Sequence, residues 1–237
     1  MSDLLEGLWR RLIGLAFWLF YNPFAWTYDP VSRLVSLGHW HRWQRTALPE
    51  LRGPRVLELA SGTGTMLVDL ALAGMQVIGV ELSPSMVRIA RRKLRRSLRR
   101  SLRRSLRRSL RRSLRHTGWS VSLVRGRAQQ LPFPDAYFDT VLATFPAGFI
   151  LASRTWSEMA RVLKPDGRGV IVVAGILRGR DVWSRFLEWL YRITGQRQVV
   201  PNLDRLLAQA GLTYHTVWRW VDDTQVLIYL IEKTQRP

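Results

Sequence analysis

The chain of 237 residues contains no cysteine. That excludes disulfides, thiolate metal sites and a cysteine nucleophile, and it is compatible with a cytoplasmic protein. Acid is missing from residues 91–116, which hold 14 lysines and arginines and no aspartate or glutamate. The formal charge of +20 is therefore mostly local, because the rest of the chain carries 23 basic against 17 acidic residues. Overall basicity is thus no argument for nucleic-acid binding. Charge is missing from Leu12 to Tyr21, but ten uncharged residues fall short of the roughly twenty that span a bilayer. No small-residue cleavage pattern accompanies them, so a secretory signal is not expected. The 47% hydrophobic content is that of a globular protein with one sizeable domain and appendages.

Two phosphate-binding patterns are also missing. The loop G-x-x-x-x-G-K-[ST] does not occur, and G-x-G-x-x-G fails because Leu67 takes the third glycine position after Gly62 and Gly64. What is present runs from Val56 to Thr65. An apolar run with an embedded acid, Glu58, feeds a small-residue loop, and a helical pattern follows. This predicts a strand, a tight turn and a helix start, with glycines that let the backbone approach a ligand closely. About twenty residues on, Val77-Ile78-Gly79-Val80 ends in Glu81. An acid at the tip of the second strand of a β-α-β unit can accept hydrogen bonds from ribose hydroxyls, so the pair predicts a nucleoside-binding site.

The stretch VLELASGTG resembles motif I of class I S-adenosylmethionine (SAM) methyltransferases, V-L-D-L-G-C-G-T-G, with Ala60 in place of the first glycine. Further segments resemble that family in order. Glu81-Leu82-Ser83-Pro84-Ser85-Met86 is similar to D-x-S-x-x-M, and Ser83 and Pro84 suit a helix start. Gly126 to Phe133 is similar to G-D-A-x-x-L-P-F, with Arg127 where the family has aspartate. Phe138-Asp139-Thr140-Val141 and Arg161 to Gly167 are similar to F-D-x-V and R-V-L-K-P-G-G. The resemblance covers roughly residues 52 to 176, about half of the chain.

It implies an α/β fold, a Rossmann-like open, mostly parallel seven-stranded sheet with helices on both faces and a C-terminal antiparallel hairpin. It implies SAM as methyl donor, with Glu58, Ala60, Ser61, Gly62 and Gly64 around its amino-acid end. Glu81 would hold the ribose, Leu82 and Met86 would pack on adenine, and Ala128 and Gln129 would border it. Thr144, Phe145 and Pro146 would lie near the transferring methyl, the last two in the substrate pocket.

Leu4 to Tyr21 reads as a helix ended by Asn22-Pro23. Two readings are open, an interfacial helix rich in Trp, Phe and Leu, and a lid over the pocket. Tyr28 to Trp43 resembles the N-terminal signature of the ubiquinone/menaquinone biosynthesis C-methyltransferases. Tyr28, Asp29, Val35, Ser36 and Trp43 match it, and Val31, Ser32 and Trp40 replace Met, Asn and His. The family's F-G-x-R-N segment is absent from Thr144 to Phe149. The resemblance implies a relative with a different or broader substrate, a small apolar or lipid-like acceptor, and places Tyr28 in the substrate pocket. No catalytic residue stands out; Tyr28, His39 and His41 are candidate bases by position only. His39 and His41 lack further ligands nearby, so no metal is expected. The organisation expected is an N-terminal segment 1–47 and a SAM-binding domain 48–237 carrying an extension at 91–116.

That extension contains five copies of Arg-Arg-Ser-Leu over residues 95–114, continuing a helix begun near Ser85. A period of four drifts about 40° per repeat, so the leucines wind around the axis. A solvated expansion, an arm for anionic membrane and an arm for nucleic acid are the readings, the last disfavoured because 91–116 contains no aromatic residue for stacking. Gly169 to Ala174 predicts a buried strand, Asp181 to Ile193 and Pro201 to Ala210 predict helices, and Tyr214 to Val221 with Gln225 to Glu232 predicts a hairpin around Asp222-Asp223. The function expected is methyl transfer to a small apolar acceptor, in the cytoplasm and peripherally at the inner membrane face. The rivals are a non-catalytic SAM-fold scaffold docked on membranes and a nucleic-acid methyltransferase, although the N-P-P-[YF] tetrad of many such enzymes is absent.

Overall fold

The apolar run Arg55–Leu59 forms β1, which the sheet places in its interior between β2 (Gln76–Glu81) and β4 (Phe138–Thr144). The structure is a computed structural model that describes residues 2–109, 120–179, 182–193 and 202–234. The remaining strands are β3 (Val121–Arg125), β5 (Leu163–Leu177), β6 (Leu212–Val221) and β7 (Thr224–Lys233). Their order is β3-β2-β1-β4-β5-β7-β6. The pairs among β1 to β5 are parallel, and β7 runs antiparallel to both β5 and β6. This is the Rossmann-like seven-stranded sheet with a terminal hairpin that the sequence implies.

Eight α-helices lie among the described residues: α1 (Ser2–Tyr21), α2 (Tyr28–Val35), α3 (Trp40–Arg45), α4 (Thr65–Leu72), α5 (Pro84–Ser109), α6 (Ser153–Val162), α7 (Val182–Ile193) and α8 (Leu203–Gln209). Alternation along the strands builds two cores. Leu57, Val141, Ile171 and Tyr229 pack with Trp156 and Met159 of α6 and Leu207 of α8. Val56, Leu142, Val172 and Ile228 pack with Trp43 of α3, Leu70 of α4 and Leu187 of α7. Strands covered on both faces need no polar side, which is why Gly169 to Ala174 of β5 reads as a continuous apolar run.

Strand β5 is longer than its apolar run, extending from Leu163 through the Lys164-Pro165-Asp166-Gly167 segment to Leu177. Helix α8 begins after Asn202, held at φ 55°, and ends before Gly211 at φ 67°. Pro201 and Asp181, expected in α8 and α7, lie outside the described residues. In α5, Leu94 is buried and Leu98 half-buried, while Arg95, Arg96, Arg99 and Arg100 are exposed. The end of the repeat, Leu110 to Leu114, lies outside the described residues.

The N-terminal segment contributes to the core. Trp43 is buried against β5, its Nε1–H donates to Thr224 Oγ1 at 2.8 Å, and a Cβ at Gly175 would overlap its indole. The order of strands reverses beside β1, since β2 lies on one side and β4 on the other. Ligands of open α/β sheets bind in the crevice at such a point, outside the carboxyl ends of the strands.

Candidate functional site

The turn after β1 is shaped by backbone conformations that side chains resist. Ala60 stands at φ 50°, Gly62 at φ 54° and Gly64 at φ 74°. The turn is tied to β2 by Ser61 N–H donating to Val80 O at 3.1 Å and closed by Gly64 N–H donating to Ser61 O at 2.9 Å. At Gly64 a Cβ would lie 2.9 Å from the Ala90 Cβ, so α5 packs directly on the loop. At Gly62 a Cβ would meet nothing closer than 4.0 Å, so the backbone there is bare toward the crevice.

Glu81, at the tip of β2, joins two loops. One carboxylate oxygen accepts from Gly62 N–H at 2.9 Å and the other from Ser83 N–H at 2.8 Å. Each oxygen keeps lone-pair capacity for further donors. Ser83 Oγ accepts from Met86 N–H at 3.2 Å and caps α5, and it donates to Tyr21 O at 2.6 Å, which fixes the end of α1 above the site. Met86 is buried, 1% exposed, whereas Leu82 is 53% exposed; of these two only Leu82 offers side-chain surface to a ligand. Ala128 is buried and Gln129 half-buried beyond β3.

A cleft lies between the loop and the N-terminal segment. Tyr28, Asp29, Trp40 and Gln44 line it from one side, and Ala60 to Thr63, Thr65 and Thr144 from the other. It leaves about 20 Å³ for an occupant, close to the room one water needs. Among the described residues, three buried side-chain atoms have no hydrogen-bond partner: Gln44 Oε1, Glu58 Oε2 and Ser61 Oγ. Gln44 and Ser61 line the cleft, and Glu58 stands two residues before Ala60. Buried polar groups are normally paired, so the two that line the cleft, Gln44 Oε1 and Ser61 Oγ, suit partners brought by an occupant. Burial holds the Glu58 carboxyl well above the ordinary 4.5, and the neighbouring charges of Glu81 and Asp69 add to the shift. A cation brought beside it would favour its ionised form.

The residues fit SAM. Its ammonium suits the buried, unpartnered oxygen of Glu58, its ribose hydroxyls suit the remaining lone pairs of Glu81, and its amino-acid tail suits the bare backbone at Gly62. Thr144 lies at the end of β4 in the same cleft, and Phe145 and Pro146 follow half-buried. The Phe145 ring packs on Trp40 with centroids 4.2 Å apart.

The candidate bases fare differently. Burial, the neighbouring Tyr21 and nearby acids push the Tyr28 hydroxyl far above its ordinary value, so it stays protonated. Tyr21 is pushed up to about 12 by burial and Glu81. His41 Nε2 sits 2.6 Å from Asp69, and His39 stacks on Trp43 and faces Asp222, so neither lines the cleft. Among the described residues no three metal-ligating side chains converge. Two side chains gain importance only in three dimensions, Gln44 and Lys93, whereas Thr63 stands in the motif I stretch. Trp40 occupies a signature position, but nothing in the pattern marks Gln44 or Lys93.

A family model described as a methyltransferase domain matches residues 57–171. The ubiquinone/menaquinone biosynthesis C-methyltransferase of Geobacter sulfurreducens is 31% identical over 198 residues, which cover 81% of this chain and 68% of that one. The demethylmenaquinone methyltransferase of Symbiobacterium thermophilum is 29% identical over 198 residues, covering 81% and 69%. In fold, the chain is similar to a SAM-dependent methyltransferase, possible histamine N-methyltransferase, of Thermotoga maritima, with TM-score 0.57, 20% identity and coverage of 92% and 98%. It is also similar to the magnesium protoporphyrin IX methyltransferase of Synechocystis, solved with bound SAH, with TM-score 0.52, 18% identity and coverage of 84% of each chain. The bare loop, its paired acids and these relatives agree, and the chain belongs to the methyltransferase-domain family of SAM-dependent enzymes, alongside the ubiquinone/menaquinone biosynthesis C-methyltransferases.

Proposed function

We propose that this methyltransferase acts on a small, apolar or lipid-like acceptor taken up at an anionic membrane surface. The observation that carries the reading is the wall of the cleft. Tyr28 and Trp40 line the same cleft as Thr144, where the family brings its methyl, and Phe145, the next residue, stacks on Trp40 from behind. Such a wall favours a flat apolar ring over a charged acceptor. The quinone-type relatives support the same acceptor class.

SAM, when bound, supplies an electrophilic methyl group. The work of this chain is to hold donor and acceptor in line and to exclude water, which can contribute several kcal/mol, on the order of seven in good cases. Glu58, Ser61, Gly62 and Gly64 hold the amino-acid end, Glu81 holds the ribose, and Leu82, Ala128 and Gln129 border the adenine. Helices α1 to α3 form the lid.

The lid's outer side supports the membrane reading. Leu8, Leu12, Leu15 and Trp18 are all exposed along one stripe of α1. Phe24, Trp26 and Leu34 extend it, and Trp183, Phe186 and Trp189 are exposed on α7. The Tyr191 hydroxyl of α7 donates to Val35 O of α2 at 2.9 Å, which links the two apolar surfaces. Exposed Arg11, Arg33 and Arg185 lie among them. Apolar and aromatic groups with flanking arginines suit an interfacial surface of anionic lipid. No described helix is long and apolar enough to cross a membrane.

The test is transfer of label from methyl-labelled SAM to a total lipid extract and, separately, to total RNA and DNA. Label in the lipid fraction is expected. Label confined to nucleic acid overturns the reading.

A further inference from the structure

Lys93 belongs to a near-copy of the repeat, Arg91-Arg92-Lys93-Leu94, at the place where the five following copies carry serine. Helix α5 packs so closely on the loop after β1 that a Cβ at Gly64 would lie 2.9 Å from the Ala90 Cβ. Ala90 and Lys93 are three residues apart on the helix and so share that face. The Lys93 ammonium is thereby set against the mouth of the cleft. Its Nζ donates to Thr63 Oγ1 at 2.8 Å, to Thr65 Oγ1 at 2.7 Å and to Asp29 Oδ2 at 2.7 Å. Asp29, Thr63 and Thr65 all line the cleft, and among the described residues no other lysine or arginine side chain hydrogen-bonds to its lining.

An ammonium has three donors, and here all three are taken. Asp29 takes one of them, and its other oxygen, Oδ1, accepts from the Thr63 hydroxyl at 2.6 Å. The seat thus holds one carboxylate by both of its oxygens. That carboxylate comes from α2 of the lid, on a side chain that is 47% exposed, whereas Thr63 is 4% exposed. The methyl donor brings a group of the same kind. Its amino-acid tail carries an ammonium, which suits the unpartnered oxygen of Glu58, and a carboxylate, which must find a cation or hydrogen-bond donors when it leaves water. The chain offers an acid before the loop, Glu58, and a cation beyond it, Lys93, the complement of a zwitterionic tail.

We propose that Lys93 and the Thr63 hydroxyl form the seat of the donor's carboxylate, and that Asp29 fills this seat as an internal substitute while the lid is closed. Every donor of Lys93 is engaged, so the arriving carboxylate replaces Asp29 and does not join it. Asp29 then gives up both of its bonds at the seat, and α2 is released from α5 and the loop. Donor binding and release of the lid are one exchange of carboxylates, in which the hydrogen bonds lost to Asp29 are made again to the ligand. Lys93 binds the donor, and Asp29 competes with it. The inference rests on the placement of the donor's amino-acid tail at the loop after β1.

The experiment is isothermal titration of the full chain with S-adenosylhomocysteine and with decarboxylated S-adenosylhomocysteine, which keeps the nucleoside and the ammonium. The native chain is expected to bind the carboxylate ligand at least about tenfold more tightly. Lys93→Met is expected to lose that preference, through weaker binding of S-adenosylhomocysteine with little change for the decarboxylated ligand, and Lys93→Arg to retain most of it. Asp29→Asn removes the competing charge and leaves Thr63 an acceptor, so it is expected to widen the preference about two- to fivefold. It is read independently if the methionine variant does not fold. Equal binding of the two ligands by the native chain overturns the inference and leaves the donor site standing, and so does a preference that survives Lys93→Met. Equal gains for both ligands in Asp29→Asn would make Asp29 a fastening only and overturn its role as a substitute. Binding of neither ligand overturns the inference together with the placement of the tail.

Discussion

Asp29 and Thr63 meet across the mouth of the cleft, with the Thr63 hydroxyl donating to Asp29 Oδ1 at 2.6 Å. Lys93 of α5 adds to the contact, its Nζ donating to Asp29 Oδ2 at 2.7 Å, to Thr63 Oγ1 at 2.8 Å and to Thr65 Oγ1 at 2.7 Å. Helix α2, the loop after β1 and α5 are therefore fastened at one point. The cleft behind has room for about one water, so a nucleoside needs a contact to open, and this fastening is the one predicted to do so. Asp29→Ala is predicted to raise the SAM association rate about two- to fivefold, the modest value expected for a half-exposed ion pair. Stopped-flow tryptophan fluorescence reads it, and an unchanged rate would place the entry elsewhere.

Glu58 predicts a pH dependence. Its proton is held above the ordinary 4.5 chiefly by burial, so the folded chain binds it more tightly than the unfolded chain. The stability this gives is complete below the unfolded pKa and is lost as pH rises through the folded one. Glu58→Gln should therefore gain stability relative to the native chain as pH rises over that window. A cationic donor favours the ionised carboxyl, so SAM binding should release a proton. Calorimetry in two buffers of different ionisation enthalpy measures that release, and the Gln variant should abolish it.

Ala60 takes the place of a glycine at φ 50°. A left-handed conformation costs a residue with a Cβ about 1–2 kcal/mol, partly offset by the greater unfolded freedom of glycine. Ala60→Gly is predicted to stabilise the chain by about 0.5–1 kcal/mol, raising Tm by about 2 °C. A thermal melt with unchanged or lower Tm would show that the Ala60 methyl packs usefully.

The proposed membrane surface and the donor site are separated by two variants. Deletion of residues 95–114 is predicted to leave SAM affinity nearly unchanged and to weaken binding to vesicles containing phosphatidylserine. Leu12→Glu with Leu15→Glu should do the same through the exposed stripe of α1. Vesicle sedimentation and SAM titration measure the two effects, and loss of SAM affinity in the deletion would place the repeat in the pocket wall.

The β1-loop-β2 unit and the hairpin were legible in the sequence because their signals are local. Glu58, Gly62, Gly64 and Glu81 are recognised by spacing along one short stretch. The length of β5 was not, because its start at Leu163 runs through a Pro-Asp-Gly segment that reads as a turn and is held by pairing with β4. Trp43 looked like part of a signature, and its burial against Gly175 depends on a contact across about 130 residues. Lys93 was hidden in a charge run, since its role arises only where α5 passes the loop. Gln44 carried no pattern at all, because an unpaired amide becomes visible only when its neighbours are in place.

Glu81 tests the account most directly. Its two oxygens hold Gly62 and Ser83 N–H groups, the proposal gives their remaining lone pairs to the ribose, and Glu81→Gln keeps its size with one acceptor fewer. Isothermal titration of SAM should show clear binding by the native chain and a loss of about tenfold or more in the variant. Equal affinities, or no heat from the native chain up to millimolar SAM, would contradict it.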